Sequence, residues 1–268
     1  MAALTGRTEL AAGFNVVGGP RLCRVPHEQP RADQRNAGAG GAVARTVDEI
    51  VHVLKVFVGP DGGGGNLLGV FLDAAGWSAS RRQAIAGDLG FSETVFVSDT
   101  ERGELRIHTP TVELPLAGHP LVGTAWLLAY QERAVDVLRP PAGEVPTWES
   151  EERTWISADP QWAPQFDMRQ LESAAAVEDH PGAGLDEHLH VWAWQDKQAG
   201  RVRVRVFPTA MGITEDEATG AAALRLCAVL QRPLAIHQGT HSQILARPAP
   251  DGTVAVGGRV HLVETRGY

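Results

Sequence analysis

The sequence predicts a mixed α/β protein of the α+β kind, and three observations carry that expectation. Short β-forming runs recur through most of the chain, and two strongly apolar helices interrupt them. Each of those helices opens with the same pattern. Glu113-Leu-Pro-Leu-Ala117-Gly118 precedes the first and Glu215-Asp-Glu-Ala-Thr219-Gly220 the second, so both read Glu-x-x-x-(Ala or Thr)-Gly. The chain has 268 residues, 43 % of them apolar, enough for one large domain or two small ones with a real core.

The elements follow in order. Residues 1–48 are rich in Gly, Ala, Arg and Pro without a period of 2 or 3.6, and read as an N-terminal extension, in part disordered. Val51–Val58 is a strand rich in β-formers. Asp61-Gly-Gly-Gly-Gly-Asn66 is a turn, and Leu67–Leu72 a second strand. Ser80 is the expected cap of a helix running to Leu89, with Gly90 as its stop. Glu93–Val97 and Leu105–His108 are strands, and Gly118 to about Leu128 is an apolar helix. Leu138–Pro146, with its Pro and Gly, is the expected linker. Beyond it His188–Trp194 and Arg201–Phe207 are strands, the latter alternating Arg and Val so that one face is buried. Ala221–Leu230 is the second apolar helix, and Gln243–Ala246 and Val254–Val263 are closing strands. Both helix openings follow a strand bearing Arg (Arg106, Arg205) and then a Pro (Pro110, Pro208), an internal duplication signal. It divides the chain into residues 49–145, with Glu93 and the Gly118-His119 helix start, and residues 146–268, with Asp216 and the Gly220 helix start. The last strand crosses back to the first half. A cleft between two similar lobes would face both helix starts.

Composition excludes several functions. A net charge of −8 suits a soluble protein and makes a poor polyanion ligand, so no nucleic-acid partner is expected. Two cysteines, Cys23 and Cys227, supply neither a disulfide framework nor a thiolate zinc site. No apolar run approaches membrane-spanning length and no signal peptide is evident, so the expected location is the cytoplasm, with no membrane partner. The Gly62–Gly65 run is not followed by the Lys of a phosphate loop, and no Gly-x-Ser-x-Gly elbow occurs. His188 and His190 share a strand face, but no third ligand is evident and no metal is expected. The Trp residues, Trp192 and Trp194 among them, read as core.

The residues that bear on chemistry cluster at the helix openings. A helix N-terminus offers unpaired N–H groups and partial positive charge, and Gly admits close approach, so Gly118 with His119 and Gly220 with Ala221 are candidate donors to a carboxylate. Ordinary helix starts look the same. Glu93 stands at the mouth of an apolar strand. It reads either as an exposed edge charge or as a buried acid raised towards neutrality, which is a usable proton carrier. His119 is a capping or core histidine, or a proton-handling one. Asp216, between Glu215 and Glu217, belongs either to a solvated acidic turn or to the cleft.

Taken together, Gly65-Asn-Leu-Leu-Gly-Val70, Ser92-Glu-Thr-Val-Phe-Val97, Arg106-Ile-His-Thr-Pro110, Glu113–Pro120 and Gly212–Gly220 resemble the successive signature blocks of the PhzF family of isomerases, in the family's order, over residues 50–265. The resemblance implies the diaminopimelate epimerase fold: two pseudo-symmetric lobes, each a curved mixed sheet around a central helix. It implies a homodimer and an isomerase that needs no cofactor. By position, Glu93 matches the catalytic proton carrier, and His119 and Asp216 match the residues that assist it. Gly118, Gly220 and Ala221 match the positions that hold a substrate carboxylate. Asn66 matches a first-turn Asn, structural or substrate-facing. Three departures stand out. Ala117 and Thr219 occupy the places where racemases of this fold carry paired cysteines, so two-thiol racemisation is not available. Ala221 replaces a common Ser, and His108 stands where an aromatic is common.

The implied reaction is a general acid/base double-bond shift on a small unsaturated carboxylic acid, in a phenazine-like or other antibiotic or secondary-metabolite pathway. The alternatives are isomerisation of a diene in alkyl-proline precursor biosynthesis and a non-catalytic small-molecule-binding protein on the same fold. The presence of Glu93 together with His119 and Asp216 argues for the enzyme.

Overall fold

The computed structural model describes residues 49–268; the expected extension at 1–48 and Cys23 lie outside the described residues. The first part of the described chain runs β1 (Ile50–Val58), β2 (Asn66–Phe71), α1 (Ala79–Leu89), β3 (Glu93–Asp99), β4 (Glu104–His108), β5 (Glu113–Leu114) and α2 (Gly118–Tyr130). Next come β6 (Val137–Leu138), β7 (Val145–Ser150), β8 (Arg153–Ala158), β9 (Asp167–Gln170), α3 (Ala174–Glu178), β10 (Leu189–Asp196) and β11 (Arg201–Phe207). The chain ends with α4 (Gly220–Leu230), β12 (Leu234–Gln238), β13 (Ser242–Pro248) and β14 (Val254–Gly267).

The strands form one large mixed sheet in the order β5-β4-β3-β2-β1-β14-β13-β12-β11-β10-β9, with β8, β7 and β6 attached through β14. The pairs β2/β3, β9/β10 and β11/β12 are parallel and the other named pairs antiparallel. β14 joins the two ends of the chain. Its first residues pair with β8 and β13, and from Arg259 on it runs along β1. This is the mixed α+β fold the sequence predicts, with strand-rich chain and few helices.

The helices divide by burial. α2 is buried along nearly its whole length, from Gly118 to Leu128, as expected of a helix apolar on every face. It packs on β1, β2, β3, β7, β8 and β14, while α4 packs on β13 and β14. Both contribute to the main core, where Leu121, Val122 and Leu127 join Leu224 and Leu226. α1 and α3 lie on the other face, over smaller clusters around Phe71 and Phe96 and around Val191 and Phe207.

Several local expectations need correction. α1 is capped by Ser78, whose side chain accepts the Arg81 N–H, so the helix starts before Ser80. Gly90 does stop it, in the left-handed region at φ 65°. The expected linker Leu138–Pro146 is a hairpin, because Leu138 pairs with Val145 and Val137 with Pro146. Among the described residues no helix is long and apolar enough to cross a membrane.

Candidate active site

The repeated helix openings meet. A methyl group built on Gly118 would lie 2.6 Å from the Gly220 Cα, and one built on Gly220 would lie 2.7 Å from the Gly118 Cα. Such backbone-to-backbone approach admits only glycine. Neither start has a side-chain cap: Ala117 has no polar group to offer, and the Thr219 hydroxyl is turned elsewhere. First-turn N–H groups of both helices, each end carrying partial positive charge, therefore lie side by side.

The repeat also sets the surroundings. Arg106 of β4 meets Glu113 at 3.5 Å, and Arg205 of β11 meets Glu215 at 2.7 Å. One residue further, Ile107 pairs with Leu114 and Val206 with Asp216. Asp216 thus takes, in the second half, the place of Leu114 in the first. On the neighbouring strands Val95 faces Ile107 and His190 faces Val206, so counting back two residues puts His188 at the counterpart of Glu93.

This geometry separates the three consecutive acids. Glu215 is taken by Arg205. Glu217 accepts from the Ser242 hydroxyl at 2.7 Å and from the Thr240 N–H at 3.1 Å. Asp216 is left buried and turned inward. Its Oδ1 accepts from Asn66 Nδ2 at 2.6 Å and its Oδ2 from the Thr219 hydroxyl at 2.6 Å. Asn66 also donates to the Ala218 carbonyl at 3.2 Å and accepts from the Ser92 hydroxyl at 3.1 Å. Asn66 is therefore the link between the start of β2 and the Asp216 turn.

Glu93 opens β3 on the face of Val95 and Val97, turned to the α2 side, and its side chain is only 10 % exposed. Its Oε2 lies 3.3 Å from His119 Nε2, but the two are not aligned as a hydrogen bond, and neither atom has a hydrogen-bond partner among the described residues. Burial pushes the Glu93 carboxyl up to about 8, and the charge of Asp216 adds to the effect. Burial pushes His119 down to about 3, so its imidazole is neutral at physiological pH and its contact with Glu93 is not an ion pair. Burial also raises Asp216, and the hydrogen bonds from Thr219 and Asn66 oppose that rise.

The structure thus brings Glu93, His119, Asp216, Asn66, Gly118 and Gly220 into one buried cluster. Ala221, the second residue of α4, is buried there too, at the position that His119 holds in α2. Three residues for which sequence reading assigned no part in the site complete the cluster: Ser92, Thr219 through its hydroxyl, and Gln238. Gln238 lies at the end of β12, in a stretch with no strand expectation, and no motif marks it. Surface grooves of about 420 to 620 Å³ lie apart from Glu93. One, of about 440 Å³, is lined by residues including Asp61, Arg203, His237 and His241. His190 is buried with neither ring nitrogen partnered among the described residues, and burial holds it down at about 3.

Comparison with known proteins bears on this cluster. The family model for phenazine biosynthesis-like proteins, PhzC-PhzF, matches residues 56–191. A trans-2,3-dihydro-3-hydroxyanthranilate isomerase of Pseudomonas chlororaphis is 32 % identical over 220 residues, which cover 67 % of this chain and 76 % of the relative. Among solved structures, a phenazine biosynthesis PhzC/PhzF protein of Clostridium difficile is similar with a TM-score of 0.66 at 16 % identity, over 82 % of this chain and 99 % of that one. A hydroxyproline epimerase of Agrobacterium vitis is similar with a TM-score of 0.51 at 10 % identity, over 81 % and 91 %. At these identities the two structures speak to the fold alone, and both agree with the fold class drawn from the sequence.

Proposed function

This chain belongs to the phenazine biosynthesis-like (PhzC-PhzF) family and is an isomerase of that type, and from that premise we propose that it shifts a double bond in a small unsaturated carboxylic acid, with Glu93 carrying the proton. One observation carries the reading. A buried carboxyl with an unpartnered oxygen stands beside a neutral imidazole and a second buried carboxyl, at the meeting point of two helix starts.

The chemistry follows from that arrangement. The first-turn N–H groups at Gly118, Gly220 and Ala221 hold the substrate carboxylate. Ionised Glu93 takes a proton from an activated C–H, and the electron pair spreads into the adjoining conjugated system. The protonated Glu93 then returns that proton to a different carbon on the same face, so the double bond moves and atoms and charge balance. A carboxyl of pKa about 8 suits both steps, since its proton is neither held nor released strongly near neutral pH. Burial keeps the carried proton from exchanging with water before it is returned. Neutral His119 stands beside Glu93 and assists the transfer, and Asp216 faces a cationic or hydrogen-bond-donating part of the substrate. The proposed pathway is a secondary-metabolite one, and the proposed assembly is a homodimer, which sedimentation tests.

The functional test is isomerisation in D₂O read by NMR, with trans-2,3-dihydro-3-hydroxyanthranilate and a panel of dienoic acids, and a shielded carrier is expected to return the substrate's own hydrogen in early product. The wild type is expected to isomerise one of them and Glu93→Gln to lose at least two orders of magnitude, in line with the roughly 10²–10⁴-fold that a positioned acid/base supplies. Equal rates in wild type and Glu93→Gln would remove Glu93 from its role. Absence of turnover and exchange throughout would count against the reaction class.

A further inference from the structure

Hydrogen bonds around Asp216 run in one direction. Gln238 is almost completely buried, and its amide is fixed at both ends. Its Oε1 accepts the Thr219 N–H at 3.1 Å, while its Nε2 donates to the Asp216 carbonyl and to Thr219 Oγ1, both at 2.8 Å. With an amide hydrogen on its lone pair, the Thr219 hydroxyl points its own hydrogen at Asp216 Oδ2, 2.6 Å away. From the other side the Ser92 hydroxyl donates to Asn66 Oδ1 at 3.1 Å, which turns Asn66 Nδ2 to Asp216 Oδ1 at 2.6 Å. Both oxygens of Asp216 receive hydrogens, whereas among the described residues Glu93 Oε2 receives none, and only the Ser92 side chain opposes the rise of Glu93. Hydrogen bonds donated to a carboxylate favour its charged form, and burial without them favours the neutral one.

We propose that Thr219, oriented by Gln238, is a positioning residue that keeps Asp216 ionised and so leaves the proton of this buried carboxyl pair on Glu93. The proposal deepens the reading of Glu93 as proton carrier and rests on it. The ionisable groups around Asp216 are Glu93 from β3 and Glu217 on its own turn; His119 from α2 faces Glu93.

The experiment needs no substrate, so its outcome is separate from whether any given acid turns over. Carbon-13 labelling of Asp and Glu side-chain carboxyls in the full chain follows the titration of Asp216 by NMR, with the resonance assigned from Asp216→Asn. Thr219→Val removes the hydroxyl at similar volume, and Thr219→Ser keeps it. Loss of the hydroxyl is expected to raise the Asp216 midpoint by about one to two pH units, roughly 10- to 100-fold in its protonation equilibrium. Thr219→Ser is expected to stay close to wild type. Gln238→Met, which frees the hydroxyl to rotate, is expected to shift Asp216 the same way by a smaller amount. An unmoved Asp216 in Thr219→Val, or equal shifts in the Val and Ser variants, overturns the proposal. If Thr219→Val does not fold, Gln238→Met decides, and an unmoved midpoint there overturns it. Titration as expected with no turnover of any acid would fault the reaction assigned, not the clamp.

Discussion

Replacing Glu93 with Gln keeps the shape of the side chain and removes its ability to ionise, so the variant isolates what it costs the fold to bury this carboxyl. Burial and the neighbouring Asp216 raise the group from 4.5 to about 8. Below pH 4.5 the folded and unfolded chains both hold the proton, and the group gives stability no pH dependence. Between 4.5 and about 8 the unfolded chain releases the proton and the folded chain keeps it, so wild-type stability falls as pH rises. Above about 8 both states are ionised and the loss is complete. At about 1.4 kcal/mol per pH unit, this window corresponds to about 5 kcal/mol. The side chain is 10 % exposed, so solvent screening removes little of it. Urea unfolding of both proteins at pH 5, 7 and 9 measures the effect. Glu93→Gln is expected to gain on wild type steadily with pH, by about 2 kcal/mol or more across the range. A difference that does not change with pH would refute the picture of a carboxyl that keeps its proton inside the fold.

Other expectations follow from the same geometry. Because Glu93 must be ionised to take a proton, kcat/KM is expected to rise with pH and level off above about 8, and His119, held at about 3, adds no limb between; initial rates across pH 5–10 test this. Gly118→Ala and Gly220→Ala each place a methyl group within 2.7 Å of the facing backbone, so each is expected to cost about 1–3 kcal/mol in denaturant unfolding and to lower turnover sharply. Gly90→Ala serves as the control. It strains a φ of 65° in open space, and is expected to cost about 1 kcal/mol by thermal unfolding while leaving turnover unchanged.

Those features were legible to different degrees in the sequence. β11 matches its expected range, Arg201–Phe207, because alternation of Arg and Val shows a strand's two faces directly. α2 and α4 were equally plain, since long apolar runs opened by Gly leave little choice of element. The short strands were not legible. β5 and β6 exist because β4 and β7 pair with them, and two residues carry no period. In the β7–β8 hairpin the charged run Glu149–Arg153 masks the pattern of the flanking Trp and Ile residues. β12 does alternate, but one of its buried positions is Gln238, a polar residue inside. The same residue explains the gap in the candidate site. Glu93, His119 and Asp216 sit in motifs, so the sequence presents them as a set. Gln238 is 22 residues beyond Asp216, and its importance lies in where its amide points, which pairing of β12 with β11 determines. Asn66 was expected to be structural or substrate-facing, and the bond to Asp216 gives it a definite structural task.

The glycine contact between α2 and α4 has a consequence for charge balance. Two helices meeting start to start bring roughly half a positive charge each, about one in all, into buried surroundings. Asp216, ionised as proposed and tied by its Oδ2 to Thr219 just before α4, supplies one negative charge beside them. If the proton rests on Glu93 as proposed, with His119 neutral, the cluster is close to electroneutral before anything binds. A simple anion entering it would leave an uncompensated charge out of water, whereas a molecule that brings its own cation would not. On the proposed protonation, two glycines pressed together tilt the site towards zwitterions.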